Sequence, residues 1–286
     1  MTRPALSTVA CPDRTLAEAC RLAAEHGFDG LELRSFGDGS ADIACDPAHT
    51  DGRKLQRLFD DHGLLAAALA TSVTFDDPVF PPVLGHVLLD REKPVRAARH
   101  FIDVAVAAQV RYVRFYGFRT HGRESRDAAL RRICKGLARA CDAARNRDVT
   151  VLIENGGSFA TADDLLEILD WVGSPHLAAA YDVLAATNAE DDPVEGVRKL
   201  GSACRLGRVR DVDAEGVPVP LGAGVLPAAD FTRALARHAH PDSWAVYTWD
   251  KLWRPEIAPI EDVIADAARL LFEWTAEPGA GATAAA

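Results

Sequence analysis

Two stretches, Val-Leu-Ile-Glu-Asn at 151–155 and Ala-Ala-Ala-Tyr-Asp at 178–182, have the same pattern, a short apolar run that ends in an acid. Continuous apolar strands of this kind are typical of a parallel sheet that is buried on both faces. Acids are rarely buried unless they are paired or functional, so Glu154 and Asp182 are the first candidates for a site. The alternative is that each forms a structural ion pair at the rim of the sheet.

The same alternation of apolar strand and amphipathic helix extends along the whole chain. Eight such units predict an α/β fold, a single (β/α)8 TIM barrel over residues 1–275. The Ala- and Gly-rich tail 276–286 is expected to be disordered, and the long Pro-containing loop 75–89 is a candidate lid. The predicted strands are 6–10, 29–33, 64–72, 112–116, 150–154, 177–182, 204–210 and 244–249.

Composition excludes several classes of function. The chain has 286 residues, 48% of them hydrophobic, and a formal net charge of -10. An acidic chain lacks the broad cationic face that nucleic acids require. Six cysteines occur without CxxC pairing, which predicts buried free thiols in a reducing compartment. With no secretory signal and no long apolar run, we expect a cytoplasmic protein with no membrane or nucleic-acid partner, acting on a small molecule.

Barrels of this kind carry their active sites at the carboxyl ends of the strands. Period-two alternation along the strands then predicts which side chains share the inward face. The predicted mouth holds Glu154, Asp182, Asp250, Arg114, Arg208 and Arg210, with Lys251 beside them. Carboxylates of this kind serve as general acids or bases, and arginines bind anionic groups or stabilise an oxyanion. The sequence therefore predicts acid/base chemistry with Glu154, Asp182, Arg208, Asp250 and Lys251 as the catalytic group.

Other residues near the strand ends are candidate contacts for a substrate. They are Arg34, Arg114, Tyr116, His121, Arg210, Thr248 and Trp253. For Arg34 and its neighbour Glu32, a salt bridge at the rim is an equally good interpretation. Packing against outer helices is the alternative for Trp253, and a solvated loop position is the alternative for His121.

Five segments in order resemble the sugar phosphate isomerase/epimerase family, the xylose isomerase-like barrels that also include endonuclease IV. They are Gly-Phe-Asp-Gly-Leu-Glu-Leu-Arg (27–34), Ile-Glu-Asn (153–155), Tyr-Asp-Val (181–183), Val-Arg-Asp with Leu-Gly-Ala-Gly-Val-Leu-Pro (209–211, 221–227) and Trp-Asp-Lys-Leu-Trp-Arg-Pro-Glu-Ile (249–257). The resemblance implies a TIM barrel and a homodimer. It also implies a divalent metal held by Glu, Asp, His and Glu.

Two of these four metal positions depart from the family pattern. Glu154 and Asp182 match the first two, but Arg208 stands at the histidine position and Thr248 at the second glutamate position. Two carboxylates without a histidine make a poor transition-metal site. Because a guanidinium at 208 can pair with both acids, we expect a site without a metal cofactor. The alternative is a metal-dependent isomerase that uses Glu154 and Asp182.

Three functions remain open at this stage. The first is a metal-independent isomerase, epimerase or lyase that acts on a small polar or anionic, sugar-like or cyclic metabolite, as in specialised biosynthesis. The second is a barrel that retains the fold and binds a ligand or partner without catalysis. The third is a DNA-repair nuclease. Two features argue against it: the chain is acidic, and most of its nine histidines lie on predicted helices and loops.

Overall fold

Eight parallel strands close into a barrel in sequence order, and β1 pairs with β8 to complete the ring. The computed structural model describes residues 1–37, 42–75, 92–115, 119–120, 122 and 124–276. The predicted TIM barrel is confirmed. The strands are β1 (Arg3–Ser7), β2 (Gly30–Arg34), β3 (Leu65–Ala70), β4 (Tyr112–Phe115), β5 (Thr150–Glu154), β6 (Leu177–Asp182), β7 (Cys204–Val209) and β8 (Trp244–Tyr247).

The described helices surround this barrel and cover its outer face. They are α1 (Leu16–Glu25), α2 (Gly52–His62), α3 (Lys93–Ala107), α4 (Arg126–Ala144), α5 (Ala162–Val172), α6 (Val183–Asn188), α7 (Pro193–Leu200), α8 (Ala228–His238) and α9 (Ile264–Thr275). Several begin at side-chain caps that satisfy free N–H groups of the first turn. Thr15 and Thr161 form capping boxes with Glu18 and Asp164, and Asp192 caps α7.

The predicted segments differ from the structure mainly at their ends. The first strand was expected at 6–10, but β1 is Arg3–Ser7 and the buried residues Thr8–Ala10 form a 3-10 turn. Helix α6 was not predicted, because its start depends on Asp182 capping the N–H groups of Leu184 and Ala185. Most of the candidate lid (76–89) and of the predicted tail (277–286) lies outside the described residues.

Alanines and a few large side chains together fill the lower part of the barrel interior, beneath the strand ends that carry the site. Alanines are half of the buried cluster there, which consists of Ala5, Ala67, Ala68, Tyr112, Leu152, Ala178, Ala180, Leu206, Trp244 and Val246. Trp244 and Tyr112 occupy the space that the alanines leave. The ring of Trp244 lies against Gly30, where an added Cβ would be 3.0 Å from ring atoms and 2.4 Å from the Leu65 carbonyl oxygen.

Two expectations from composition can be compared with the described part of the chain. All six cysteines are free and buried, as predicted. Over the described ranges, no helix has the length and apolar character needed to cross a membrane.

The close packing at Gly30 predicts a large loss of stability on a small substitution. In Gly30→Ala, the new methyl group meets a backbone oxygen that cannot move without displacing β3, so we expect the free energy of unfolding to fall by about 1–3 kcal/mol. Gly156→Ala is the matched control, since nothing lies within 4 Å of its added Cβ. Urea unfolding followed by circular dichroism measures both, and equal stabilities would contradict this account of the packing.

Candidate active site

Asn155 ties the end of β5 to the end of β6 and so sets the spacing of the two predicted acids. Its side-chain oxygen accepts the N–H of Asp182 at 2.6 Å, and its amide nitrogen donates to the carbonyls of Asp182 at 3.2 Å and Ala160 at 3.0 Å. Both donors and the acceptor of a buried amide are thus used. The hydrogen bonds of Asn155 therefore fix the positions of Glu154 and Asp182 at the ends of two neighbouring strands.

Asp182 has two roles, one for each carboxylate oxygen. Oδ1 accepts the N–H groups of Leu184 at 2.9 Å and Ala185 at 3.0 Å, which starts α6. Oδ2 accepts from Arg208 at 3.1 Å and from Arg210 at 2.7 Å. All of these donors stabilise the ionised form of the carboxylate. Asp182 consequently acts as a fixed anion that orients two arginines.

The other acids and arginines at the mouth continue this pattern into one chain of alternating charges, which we call the charge network. Arg208 Nη1 lies 3.1 Å from Glu154 Oε1 as well as 3.1 Å from Asp182, so one nitrogen bridges both acids. Arg114 donates to Glu154 and, through Nε at 2.9 Å, to Glu32. In spatial order the charge network consists of Glu32, Arg114, Glu154, Arg208, Asp182, Arg210 and Asp250.

The pKa values of two buried acids reflect this pairing. Burial alone would raise the pKa of Asp182, but Arg210, Arg208 and the two backbone N–H groups of α6 hold it below its ordinary value. Burial likewise would raise the pKa of Glu32, and Arg114, Arg208 and the Ser7 hydroxyl at 2.8 Å lower it. Both groups therefore stay ionised at neutral pH because guanidinium charges offset their loss of hydration.

A cavity of about 160 Å³ opens above the charge network at the carboxyl ends of the strands. The described residues that line it are Val9, Arg34, Arg114, Arg208, Arg210, Asp250, Trp253 and Arg254. Asp250 is the one acid among them, and Arg210 Nη1 donates to it at 2.6 Å. Arg34 lies 4.5 Å from the ring centroid of Phe36 and 5.7 Å from that of Trp253. The cavity wall is thus rich in guanidinium groups, and Trp253 gives it one aromatic side.

Most of the predicted site residues meet at this mouth, and Lys251 is a correction. Its ammonium donates to the carbonyl of Pro255 at 2.6 Å and also to that of Ile257, so it holds a loop together instead of serving the catalytic role expected of it. Thr248 is buried below the mouth, and its hydroxyl has no hydrogen-bond partner among the described residues. Tyr116 and His121 lie outside the described residues, so their predicted roles as substrate contacts stay predictions.

Sequence reasoning missed two contributors to the site. It considered Glu32 only as a possible partner of Arg34 in a salt bridge at the rim, but the side chain is fully buried inside the barrel. Strict alternation from Gly30 through Glu32 to Arg34 could have placed it there. Arg254 was not considered because it lies in a loop, whose path depends on hydrogen bonds such as that from Arg254 N to the carbonyl of Asp250 at 2.8 Å.

The Gly-x-Gly loop after β7 is organised by Asp211, which therefore serves a structural purpose. Its carboxylate accepts the N–H groups of Gly222 and Gly224 at 3.0 Å and of Leu226 at 3.1 Å. A side chain at 224 would collide with this carboxylate, since an added Cβ would be 2.2 Å from Asp211 Oδ1. The loop is thereby held against the end of β7, the strand that leads into Arg210.

Comparisons with known proteins agree with the fold. The model of one protein family, described as xylose isomerase-like TIM barrel, matches residues 20–274. No curated protein matches the sequence significantly. Several solved structures are similar over nearly the whole chain, at identities that establish the fold alone.

Three of these similar structures are an epimerase, a probable dehydratase and the IolI protein. A D-allulose 3-epimerase from Methylomonas sp. is 17% identical, with 96% of this chain and 98% of that chain covered and a TM-score of 0.72. The probable 3-DHS dehydratase AsbF from Bacillus anthracis is 18% identical, with coverages of 95% and 99% and a TM-score of 0.72. The IolI protein, solved with a zinc atom, is 16% identical, with coverages of 96% and 96% and a TM-score of 0.72.

The bridging role of Arg208 predicts a pH-dependent loss of stability in Arg208→Met. Removing one partner from a buried ionic group leaves an uncompensated charge, which costs about 3–5 kcal/mol. We expect this difference from wild type to be largest at about pH 7 and to shrink toward about pH 4.5. Loss of Arg208 raises the pKa of Asp182 and of Glu32 in the variant, so these carboxyls take up protons at low pH and no longer need the guanidinium. Urea unfolding at several pH values measures the difference.

Two further variants make this test specific. Arg208→Lys retains the charge and should recover part of the stability. Arg269→Met removes an exposed arginine that pairs only at the surface of α9 and should change little. A stability loss in Arg208→Met that does not depend on pH would show that packing, and not charge compensation, is what the arginine contributes.

Proposed function

Because this chain belongs to the xylose isomerase-like TIM-barrel family, we propose that it is an isomerase, epimerase or lyase that moves a proton beside a carbonyl group. Its substrate would be a small polar or anionic, sugar-like or cyclic metabolite. The observation that carries this proposal is the pairing of one cavity-lining carboxylate, Asp250, with a wall of guanidinium groups. A base and an oxyanion-stabilising group, next to one cavity, are the two elements that such a proton transfer requires.

Asp250 is better placed than Glu154 to act as the base. Asp250 lines the cavity and accepts from one arginine, Arg210. Glu154 is buried, and its two oxygens accept from Arg208 and Arg114 respectively. A carboxylate held by two guanidinium groups is weakly basic, because each donor stabilises the ionised form. Glu154 would instead hold Arg114 and Arg208 in position beneath the substrate.

Arg208 and Arg210 supply the positive charge for the other half of the reaction. When a proton leaves the carbon next to a carbonyl, negative charge develops on the carbonyl oxygen. Both arginines line the cavity, and their orientation is fixed in advance by Asp182. Preorganised donors of this kind stabilise an oxyanion without further rearrangement, which typically contributes a factor of about 100–1,000 in rate.

The residues present do not fit the divalent metal that the fold family implies. A similar structure, that of IolI, contains zinc. Here the nitrogen of Arg208 lies 3.1 Å from both acids that a cation would need, and Asp182 already uses both oxygens. The described residues contain no group of three or more His, Cys, Asp or Glu side chains that could hold a metal ion. A metal-independent reaction accordingly forms part of the proposal.

A non-catalytic binding barrel is the second candidate, because every acid of the charge network has an arginine partner. Such a protein would bind a ligand in the same cavity without exchanging any proton. The nuclease hypothesis gains no support, since the described part of the chain lacks the metal-binding cluster that it requires. Proton exchange is therefore the observable that separates the two remaining candidates.

Substitution of the base tests catalysis directly. We expect Asp250→Asn to slow the exchange of a substrate C–H proton with deuterated water by about 100-fold or more, because general bases typically contribute that much. Proton NMR of a panel of ketoses and cyclic hydroxy ketones, with and without a carboxylate, measures the exchange. Asp213→Asn, in the exposed turn after β7, is the matched control and should exchange at the wild-type rate.

Glu154→Gln completes the comparison of the two acids. We expect slower but measurable exchange, since Arg114 and Arg208 lose one partner while Asp250 remains. Full loss in Glu154→Gln with normal exchange in Asp250→Asn would transfer the role of base to Glu154. Absence of exchange in the wild type over the whole panel, combined with ligand binding, would favour the binding barrel.

Metal content tests the remaining part of the proposal. We expect wild-type protein purified without chelator to contain far less than one equivalent of manganese, zinc or a similar ion, as measured by elemental mass spectrometry. The double variant Arg208→His/Thr248→Glu replaces the guanidinium by an imidazole and adds a third carboxylate, so it should gain stoichiometric zinc. Near one equivalent of metal in the wild type would overturn the metal-independent mechanism.

A further inference from the structure

We propose that the substrate carries a single carboxylate, which Arg34 and Arg254 bind on the side of the cavity that Trp253 lines. This inference rests on the proposed function only in taking the cavity as the substrate site. It specifies the chemical class of the substrate and separates the residues that recognise it from those that react with it.

The cavity presents its charges unevenly. Five of the eight described lining residues are arginines, and one is an acid. The acids that balance the inner arginines lie behind them, because Glu32 is fully buried and the side chains of Glu154 and Asp182 are only 5% exposed. A bound molecule therefore contacts guanidinium groups first. Such a surface favours an anionic group with planar oxygen acceptors.

The inner and outer arginines differ in what holds them. Arg114, Arg208 and Arg210 each contact two carboxylates of the charge network. The outer pair, named because both residues lie outside the charge network, consists of the buried Arg34 and the half-exposed Arg254. Arg254 is about half exposed, and its salt bridge to the exposed Glu256 is long, at 3.7 Å. Solvent screens such a contact, so the positive charge of Arg254 remains accessible to a ligand.

Arg34 is positioned in advance for this task. It donates through Nη1 to the carbonyl of Thr71 and through Nη2, at 2.9 Å, to the hydroxyl of Ser72. Phe36 and Trp253 flank its guanidinium, with ring centroids at 4.5 Å and 5.7 Å. Because these hydrogen bonds and the two flanking rings restrict the plane of the guanidinium, the Arg34 side chain loses little conformational entropy when a ligand binds. Trp253 is half exposed, adjoins Arg254 in sequence and lies near Arg34, so it adds an aromatic surface beside the two arginines.

The balance of charge favours one negative charge over two. The charge network holds four acids and three arginines, and its one excess negative charge faces Arg34, whose charge helps to lower the pKa of Glu32. Arg254, whose salt bridge to Glu256 is long and screened by solvent, then adds at most one further positive charge at the mouth. A carboxylate matches this charge, whereas a phosphate dianion exceeds it. The cavity volume of about 160 Å³ is also below the range of about 300–1,000 Å³ for drug-sized ligands, which suits a single ring or a short chain.

Calorimetric titration with matched ligands tests the inference without requiring turnover. The probes are three acids, benzoate, shikimate and D-glucuronate, together with the neutral amide of each, and D-glucose 6-phosphate as a dianion. We expect wild-type protein to bind at least one acid about 10-fold or more tightly than its amide, equivalent to about 1.4 kcal/mol. Arg254→Gln should lose most of this preference, and Arg269→Gln, the matched control on α9, should retain it.

Arg34→Gln should also lose the preference, and Arg34→Lys should recover only part of it because the forked geometry is absent. Arg254 is exposed, so Arg254→Gln tests the inference even if the Arg34 variants are unstable. Three outcomes would overturn it: acids and amides binding equally, no acid binding up to about 10 mM, or an acid preference that Arg254→Gln leaves intact. Tighter binding of D-glucose 6-phosphate would replace the carboxylate by a phosphate.

The binding experiments can succeed or fail independently of the proton-exchange experiments that test the proposed function. Asp250→Asn should bind the preferred acid in calorimetry while losing proton exchange. If the acid preference is found and no exchange occurs in the wild type, the carboxylate inference stands and catalysis fails. If exchange occurs on a neutral sugar and acids are not preferred, catalysis stands and the carboxylate inference fails.

Discussion

The bridging of Glu154 and Asp182 by one nitrogen of Arg208 is the interaction on which the rest of the site depends. Two carboxylates that leave adjacent strands repel each other, and burial removes the water that would screen them. A positive charge must lie between them for both to remain ionised. The guanidinium supplies that charge from β7, the strand next to β6. Each further member of the charge network then compensates the one before it.

This arrangement has a cost and a benefit. Burial of ions costs several kcal/mol for each group, and pairing offsets that cost only when the hydrogen bonds are complete. Asp182 meets the condition through four N–H donors, two of them from the backbone of α6. The benefit is a set of arginines whose positions do not depend on a ligand. A rigid positive surface of this kind is what electrostatic stabilisation of a transition state requires.

The barrel beneath the site makes room for these long side chains. Alanines at many interior positions of the strands leave space that Trp244 and Tyr112 fill from below. Above them, the inward positions of β2, β4, β5, β6 and β7 are free to hold charged residues. The same strands that give the fold its core therefore also fix the charge network. Change of function within this architecture then needs only substitutions at strand ends and in the loops that follow.

The sequence by itself determined the fold, the family and most of the acidic and basic residues of the site. Strand–helix alternation and the acids at the ends of β5 and β6 are local patterns, so the periodicity of the chain was enough to place Glu154, Asp182, Arg208 and Arg210. Only the tertiary structure decided which charges pair. It buried Glu32 in the barrel, brought Arg254 to the cavity and turned Lys251 toward loop carbonyls. Pairing between strands and the path of a loop depend on contacts between residues far apart in sequence, which no local pattern records.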